Sequence, residues 1–444
     1  MVRLIDFRGV DKREYASKLP RAEFDVTTAM ASVAPICHGV RQRGQDALRE
    51  FSQQFDHVVP LSFRVDPQII ADCAANLDPQ LKAAFVTSIE RRRAVARAEA
   101  DVPDRAVDLG PGARVDIRYV PVRRVGLYVP GGLAPLASSV IMNVVPAQVA
   151  GVSSLALASP PGPNGLPNAS ILALCHMLGV DEVYAVGGAQ AIAMFAYGVD
   201  GLCEPVDMIT GPGNIYVVAA KRLVKGVVGI DSEAGPTEIA IVADDQADPR
   251  FVAADLMSQA EHDPNAAAVL ITDSRALIDQ VSAELSKQVH STAHADRVRQ
   301  ALNGPQSGAI LVSDIDAAID VANAYAAEHL EIQTASASEH ARRIHNAGAV
   351  FVGAYAPVSL GDYSAGSTHV LPTCGTARHS SGLTVRSFMK TMHVIAYDAL
   401  GLAEVADGVE IFAQAEKLPA HANAIAQRQS SRAQSGSDAA SGSR

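Results

Sequence analysis

Along this chain apolar residues first recur at intervals of three and four, then gather into short unbroken runs, and the change falls near residue 123. Through AMASVAPICHGVRQRG and DPQLKAAFVTSIERRRAVARA the spacing predicts amphipathic helices, so the first 110 residues read as mostly helical. From 123 onward RVGLYVP, SSLALASP, DEVYAVG and VDMITG read as strands, separated by helices over SVIMNVVPAQVAG, ASILALCHMLG and AQAIAMFAYG. A second run follows, with TEIAIVAD, AAVLITD, GAILVSD, LEIQTA and AVFVGA as strands and ADPRFVAADLMSQAEH, DAAIDVANAYAAEH and EHARRIHNAG among the helices. Such alternation builds βαβ units and parallel sheets, here two α/β sheets. After the polar stretch VSLGDYSAGSTHVLPTCGTARHSSG, longer than an ordinary connector, the pattern becomes helical to about residue 430. The terminal QSSRAQSGSDAASGSR has little to bury and reads as a disordered tail.

Composition narrows the picture. With 444 residues, 48% of them hydrophobic, the chain can bury large cores and divide into at least two domains. A formal charge of -11 and the lack of a basic stripe argue against a nucleic-acid partner. The most apolar stretch is broken by Pro130, Asn143, Pro146 and Gln148, which argues against a membrane span, and the charged start MVRLIDFRGVDKREY is unlike a signal peptide. Five cysteines, an odd number scattered singly, fit reduced packing thiols in a cytoplasmic protein.

Candidate chemistry lies in the turns and helix ends. No Walker loop and no full GxGxxG occur, but YVPGG, VGGAQA and GPGN each follow a predicted strand. In an open parallel sheet such turns crowd the carboxyl edge, where glycine lets backbone N–H groups approach a phosphate. Each alone is a plain turn; together, with Tyr128, Gln190 and Asn214 beside them, they suggest a cofactor crevice. Ala-Glu-His ends two alanine-rich runs, SQAEHDPNA and YAAEHLEI. In the first, Gln259 and His262 share a helical face and could offer an oxygen and a nitrogen to a metal, although a polar helix end explains the same letters. In the second, Glu328 and His329 are consecutive and suit separate tasks. An imidazole of ordinary pKa about 6.5 is the easier base, whereas a carboxylate near about 4.3 needs an apolar site to act as one. A solvated helix end is again the plainer alternative. GDYSAGSTHVLPT adds Asp362 and His369, and AEKLPAHANAIAQR adds Glu416 and His421; turn chemistry and surface helix account for these equally well.

YVPGG, VGGAQA, GPGN, IDSEAGPTE, SQAEHD, AAEHLEI, GDYSAGSTHVLPT and LPAHANA, in this order over about 120–430, closely resemble the histidinol dehydrogenase family. The resemblance implies an NAD-dependent, zinc-dependent oxidation of L-histidinol through L-histidinaldehyde to L-histidine, the last step of histidine biosynthesis, with two NAD and one water consumed. It implies one Zn2+ per subunit on Gln259, His262, Asp362 and His421, and an acid/base pair at Glu328 and His329. Substrate contacts would come from Thr237, Gln259, His262, His329, Asp362, His369, Glu416 and His421, and NAD contacts from Tyr128, Gln190 and Asn214. Many relatives carry serine at position 237 and asparagine at 368; Thr237 keeps the hydroxyl, and Thr368 bears only on the packing of its loop.

The expected fold is α/β, two Rossmann-like open sheets with helices on both faces and small helical N- and C-terminal segments. Its expected divisions are an N-terminal helical segment 1–25, a discontinuous first α/β domain of 26–127 with 239–379, and an NAD-binding second α/β domain 128–238. A helical dimerisation segment 380–430 and a disordered tail 431–444 follow. The resemblance further implies a cytoplasmic homodimer in which the C-terminal segment crosses over, so that Glu416 and His421 complete the partner's site. The rival readings are a paralogous zinc/NAD dehydrogenase acting on another small polar alcohol, a zinc hydrolase using Glu328 without cofactor, and a non-catalytic binding module. Glu416, His369 and a hydroxyl at 237 favour histidinol.

Overall fold

The computed structural model describes residues 3–101, 103–131 and 136–441, with backbone alone from residue 431. Gly132 of the first glycine turn lies outside the described residues, as do residues 442–444 of the expected tail. Internal contacts divide the chain into two units, Met1–Ala100 with Val122–Phe388, and Asp101–Pro121 with Met389–Arg444.

The larger unit holds two all-parallel sheets. Strands β1 (Leu4–Asp6), β9 (Glu238–Ala243), β10 (Ala267–Thr272), β11 (Gly308–Leu311), β12 (His329–Gln333) and β13 (Ala349–Val352) run in the order β1-β11-β10-β9-β12-β13. Strands β4 (Arg124–Tyr128), β5 (Ser154–Ser159), β6 (Val183–Ala185), β7 (Met208–Thr210) and β8 (Gly229–Ile230) run β6-β5-β4-β7-β8. Both faces of the first sheet are covered, because alternate residues of β9 enter different cores. Ile239 and Ile241 pack with Val252, Leu256 and Leu270, whereas Ala240 and Val242 pack with Val321 and Tyr325. The strand order switches sides between β4 and β7 in one sheet and between β9 and β12 in the other, while the strands stay parallel; such switch points are where open α/β sheets leave a crevice.

The smaller unit is an antiparallel sheet of β2 (Arg105–Gly110), β3 (Ala113–Pro121) and β14 (Met389–Tyr397) in the order β14-β3-β2, continued by helices Ala399–Ala415 and Pro419–Ser441. Among the described residues no helix is long and apolar enough to cross a membrane.

The strands and helices that the pattern predicts between 124 and 273 are present, with ends shifted by a few residues. Elsewhere the structure corrects the pattern. The N-terminal segment read as helical contributes β1 to a sheet edge, and the helical reading of the first 110 residues and of 380–430 gives way to β2 and β14. β1 and β14 pair across long sequence separations, Leu4 with Ala309 and Met389 with Pro121, so local periodicity carries no trace of them, whereas β2 forms a local hairpin with β3. Of EHARRIHNAG only the opening Glu-His-Ala is helical, as the end of the short helix Ala337–Ala341. The last backbone helix runs to Ser441, beyond the point where the sequence offers a face to bury. DAAIDVANAYAAEH stops as a helix at Tyr325, where Ala326 takes a left-handed conformation with φ of 51°. The second Ala-Glu-His therefore enters β12 and is no helix end.

One buried ion pair fixes the GPGN turn. Lys221, on helix Ile215–Val224, pairs with Asp231 and donates to the Gly211 carbonyl at 3.1 Å, while Asp231 Oδ2 accepts the Gly211 N–H at 2.8 Å. Gly211 has a φ of 116°, and a Cβ there would lie 2.0 Å from the Tyr128 carbonyl oxygen. Lys221→Met would leave Asp231 buried without its counter-charge; urea denaturation should show a loss of about 3–5 kcal/mol.

Candidate active site

Because β9 and β12 are neighbours, with His329 opposite Ile239, the peptide of Glu238 lies beside the entry to β12. Its N–H donates to Glu328 Oε2 at 2.9 Å, and its carbonyl accepts from His329 Nδ1 at 3.3 Å. A carbonyl can only accept, so that contact places the imidazole proton on Nδ1 and leaves the Nε2 lone pair free. Thr237 Oγ1 donates to the same Glu328 oxygen at 2.6 Å. Glu328 and His329 are both buried, neither a solvated helix end. Burial pushes the Glu328 carboxyl up to about 8, against the opposing pull of its Thr237 and Glu238 donors. Burial also lowers the His329 imidazole, which is neutral at pH 7.

Thr237 links this pair to Gln259, whose Nε2 donates to Thr237 Oγ1 at 2.5 Å. Gln259 sits in the last turn of helix Pro249–Ala260, fully buried, and its Oε1 has no hydrogen-bond partner. His262, just past that helix end and partly exposed, brings Nε2 to 3.8 Å from Asp362 Oδ2. Asp362 lies on the short helix Val358–Tyr363, and its Oδ1 is 3.8 Å from His369 Nδ1. His369, neutral through burial, reaches Ser139 Oγ at 3.1 Å with Nε2. Ser139 lies in the first turn of helix Ser138–Ala150, which follows β4, so His369 joins the amino edge of the larger sheet to the carboxyl edge of the smaller parallel one.

The larger unit thus brings together Thr237, Gln259, His262, Glu328, His329, Asp362 and His369. Glu416 and His421 lie in the smaller unit, exposed, at and after the end of helix Ala399–Ala415. Among the described residues no three His, Cys, Asp or Glu side chains converge on a metal position. The chemistry of the donors present nevertheless suits zinc: an unpartnered buried amide oxygen, an imidazole and a carboxylate are a borderline set.

At the other sheet edge Tyr128 is buried, and its hydroxyl accepts the Gly188 N–H at 3.0 Å, tying β4 to the start of helix Gly188–Tyr197. Gln190 is buried and its Nε2 points to Asp56 Oδ2 at 3.4 Å. Asn214 caps helix Ile215–Val224, its Oδ1 accepting from Tyr216 and Val217. A cavity of about 440 Å³ opens beside Gly131, Pro160, Asn164 and Asn168. Ser159, at the end of β5, is fully buried with an unpartnered hydroxyl. A Cβ on Gly131 would approach Ser159 Oγ to 3.4 Å, and one on Gly187 would approach Pro160 to 2.9 Å. Side chains larger than hydrogen would fill this cradle.

Sequence reasoning missed Ser139, Ser159 and Asp56. The serines stood in predicted elements, and Asp56 ends a π-helical turn at Ser52–Asp56 within a region read as plain helix. Burial pushes Asp56 up to about 6, and only its neighbours in space, Gln190 and Gly187, mark it.

Glycine turns at the carboxyl edge of a parallel sheet, where open α/β folds take up dinucleotides, and a buried carboxylate and imidazole able to move protons fit an α/β oxidoreductase of the dehydrogenase class. The histidinol dehydrogenase family profile matches residues 19–429. A histidinol dehydrogenase of Cutibacterium acnes is 63% identical over 438 residues, 97% of this chain and 100% of that one. One of Thermobifida fusca is 58% identical over 428 residues, covering 96% and 97%. The crystal structure of histidinol dehydrogenase from Elizabethkingia anophelis matches with a TM-score of 0.90 at 31% identity, over 97% of this chain and 98% of that one. The chain belongs to the histidinol dehydrogenase family and is an oxidoreductase of histidine biosynthesis.

Thr237→Val would take a donor from Glu328 and an acceptor from Gln259, leaving buried groups unpaired at a cost of about 1–3 kcal/mol. The Glu328 carboxyl should then titrate above about 8, which a pH–rate profile would register as a shift to higher pH. Thr237→Ser should behave like the parent in the same pH–rate profile.

Proposed function

We propose that this chain oxidises L-histidinol through L-histidinaldehyde to L-histidine in two steps at one site, with Zn2+ and NAD, as a cytoplasmic homodimer. The observation that carries this reading is the buried Glu328 and His329 pair, held on one peptide and joined through Thr237 to the unpartnered oxygen of Gln259. Gln259, His262 and Asp362 would hold the metal, with His421 of the partner subunit as the fourth ligand. Tyr128, Gln190 and Asn214, beside the glycine turns of the smaller parallel sheet, would contact NAD. When bound, zinc would orient the amino and imidazole nitrogens of the substrate, and NAD would accept a hydride in each oxidation.

In the first oxidation His329 Nε2 takes the hydroxyl proton; its neutral state and fixed Nδ1 proton suit it to this. In the second, the Glu328 carboxylate takes a proton from the water that adds to the aldehyde. Thr237, His369 and Glu416 position the substrate, the last from the C-terminal segment. Burial of the pair keeps the reactive aldehyde from bulk solvent between the two oxidations.

The sign of the Glu328 shift gives two opposite pH trends. Its base form grows as pH rises through about 8, so aldehyde oxidation should accelerate across that range. A carboxyl raised in this way stabilises the fold fully below about pH 4.3, its ordinary value, and that contribution is lost as pH rises to about 8.

The decisive experiment counts NADH formed per L-histidinol consumed by zinc-loaded protein, with a chelated sample alongside. Two per substrate, abolished by chelation, is expected; none, with metal and NAD both bound, would instead favour another alcohol as substrate. Glu328→Gln should lower the count from two to one, releasing aldehyde. Mixing inactive His329→Ala and His421→Ala subunits should restore activity in verified heterodimers, and complete failure there would refute the shared site.

A further inference from the structure

The elements that carry the site are joined by a buried polar cluster that takes no part in the chemistry above. Asp255 lies one turn before Gln259 on helix Pro249–Ala260. Glu331 and Gln333 leave β12 on the same side as His329, since alternate strand residues share a face. Gln333 Nε2 donates to Asp255 Oδ2 at 2.9 Å and to Glu331 Oε2 at 2.8 Å. Glu331 Oε1 accepts the N–H of Val358 at 2.8 Å. Val358 is the first residue of the short helix that carries Asp362. One cluster therefore touches the helix of Gln259, the strand of His329 and the helix of Asp362.

Its composition is unusual for a purely apolar packing site. Asp255, Glu331 and Gln333 are 8%, 1% and 5% exposed, and burial raises both carboxyls above the ordinary range, so a proton is retained between them. Apolar side chains would join the same elements without that desolvation, but they are non-directional. Hydrogen bonds fix distance and angle, and here they run to the helix that precedes one expected metal ligand and to the strand that bears the base.

We propose that Asp255, Gln333 and Glu331 form a positioning brace that sets the mutual placement of Gln259, Asp362 and His329, and so governs zinc retention and turnover. This rests on the zinc reading above. None of the three touches substrate; they act through the elements they join.

The test measures the zinc dissociation constant of apo-protein by competition with a chromophoric chelator, together with kcat and KM for L-histidinol and the urea midpoint of the apo-protein. Glu331→Ala should weaken zinc and lower kcat, each by about 10–100-fold, with KM changing less than kcat. Glu331→Gln keeps an acceptor for Val358 and should restore both to within about threefold, as the conservative replacement of a protonated carboxyl. Should Glu331→Ala fail to fold, Gln333→Leu, which keeps the Val358 bond but cuts the link to Asp255, carries the same expectation. A shifted urea midpoint with unchanged zinc affinity and kcat would overturn the brace. If the parent protein itself holds no zinc, the metal reading fails first, visibly in the unmutated sample, and the proposal falls with it.

Discussion

The pairing of β9 with β12 is the constraint on which the site depends. Their parallel register sets one peptide, that of Glu238, between a carboxylate it donates to and an imidazole it accepts from. A slip by one residue would turn every side chain of β12 to the opposite face and take His329 off that carbonyl. The register is strongly specified because both faces of the sheet are buried, with Ile239 and Ile241 in one core and Ala240 and Val242 in the other. Packing energy spread over the whole sheet thus ends up holding two reactive groups in place.

Burial has consequences that the surroundings must moderate. Glu328 sits close to the Glu238 side chain, and each carboxyl lies in an apolar setting; burial pushes Glu238 up to about 7. Arg21, from the N-terminal segment, reaches Glu238 Oε2 at 3.1 Å and stacks 4.2 Å from the Tyr325 ring centre, also donating to the Tyr325 carbonyl. A cation from a distant segment thus offsets the second carboxylate, and the first is left to be tuned by Thr237 and the Glu238 N–H. The segment before residue 26 contributes charge to the site's surroundings as well as a sheet edge.

Much of this was legible in the sequence. The βαβ alternation and the glycine turns after strands are local signals, and the corresponding elements lie where the letters place them. What local pattern could not carry was partnership at a distance: β14 against β3, β1 against β11, and the contact of His369 with Ser139. The candidate site was legible chiefly through resemblance, because single motifs such as GDYS or SQAEH have ordinary explanations as turns and helix ends. Asp56 and Ser159 left no sequence signal at all; one is marked by burial and its spatial neighbours, the other by a hydroxyl without a partner.

The left-handed turn at Ala326 bears on how short motifs carry meaning. Ala260-Glu261-His262 and Ala327-Glu328-His329 are the same three letters, yet one closes a helix and the other enters a strand. The difference is made upstream, where Ala326 reverses the sign of φ and lets the chain leave the helix before the tripeptide begins. The information that makes Glu328 and His329 a working pair therefore resides outside them. The letters AAEHL grafted onto another helix end would bring the residues but none of the chemistry.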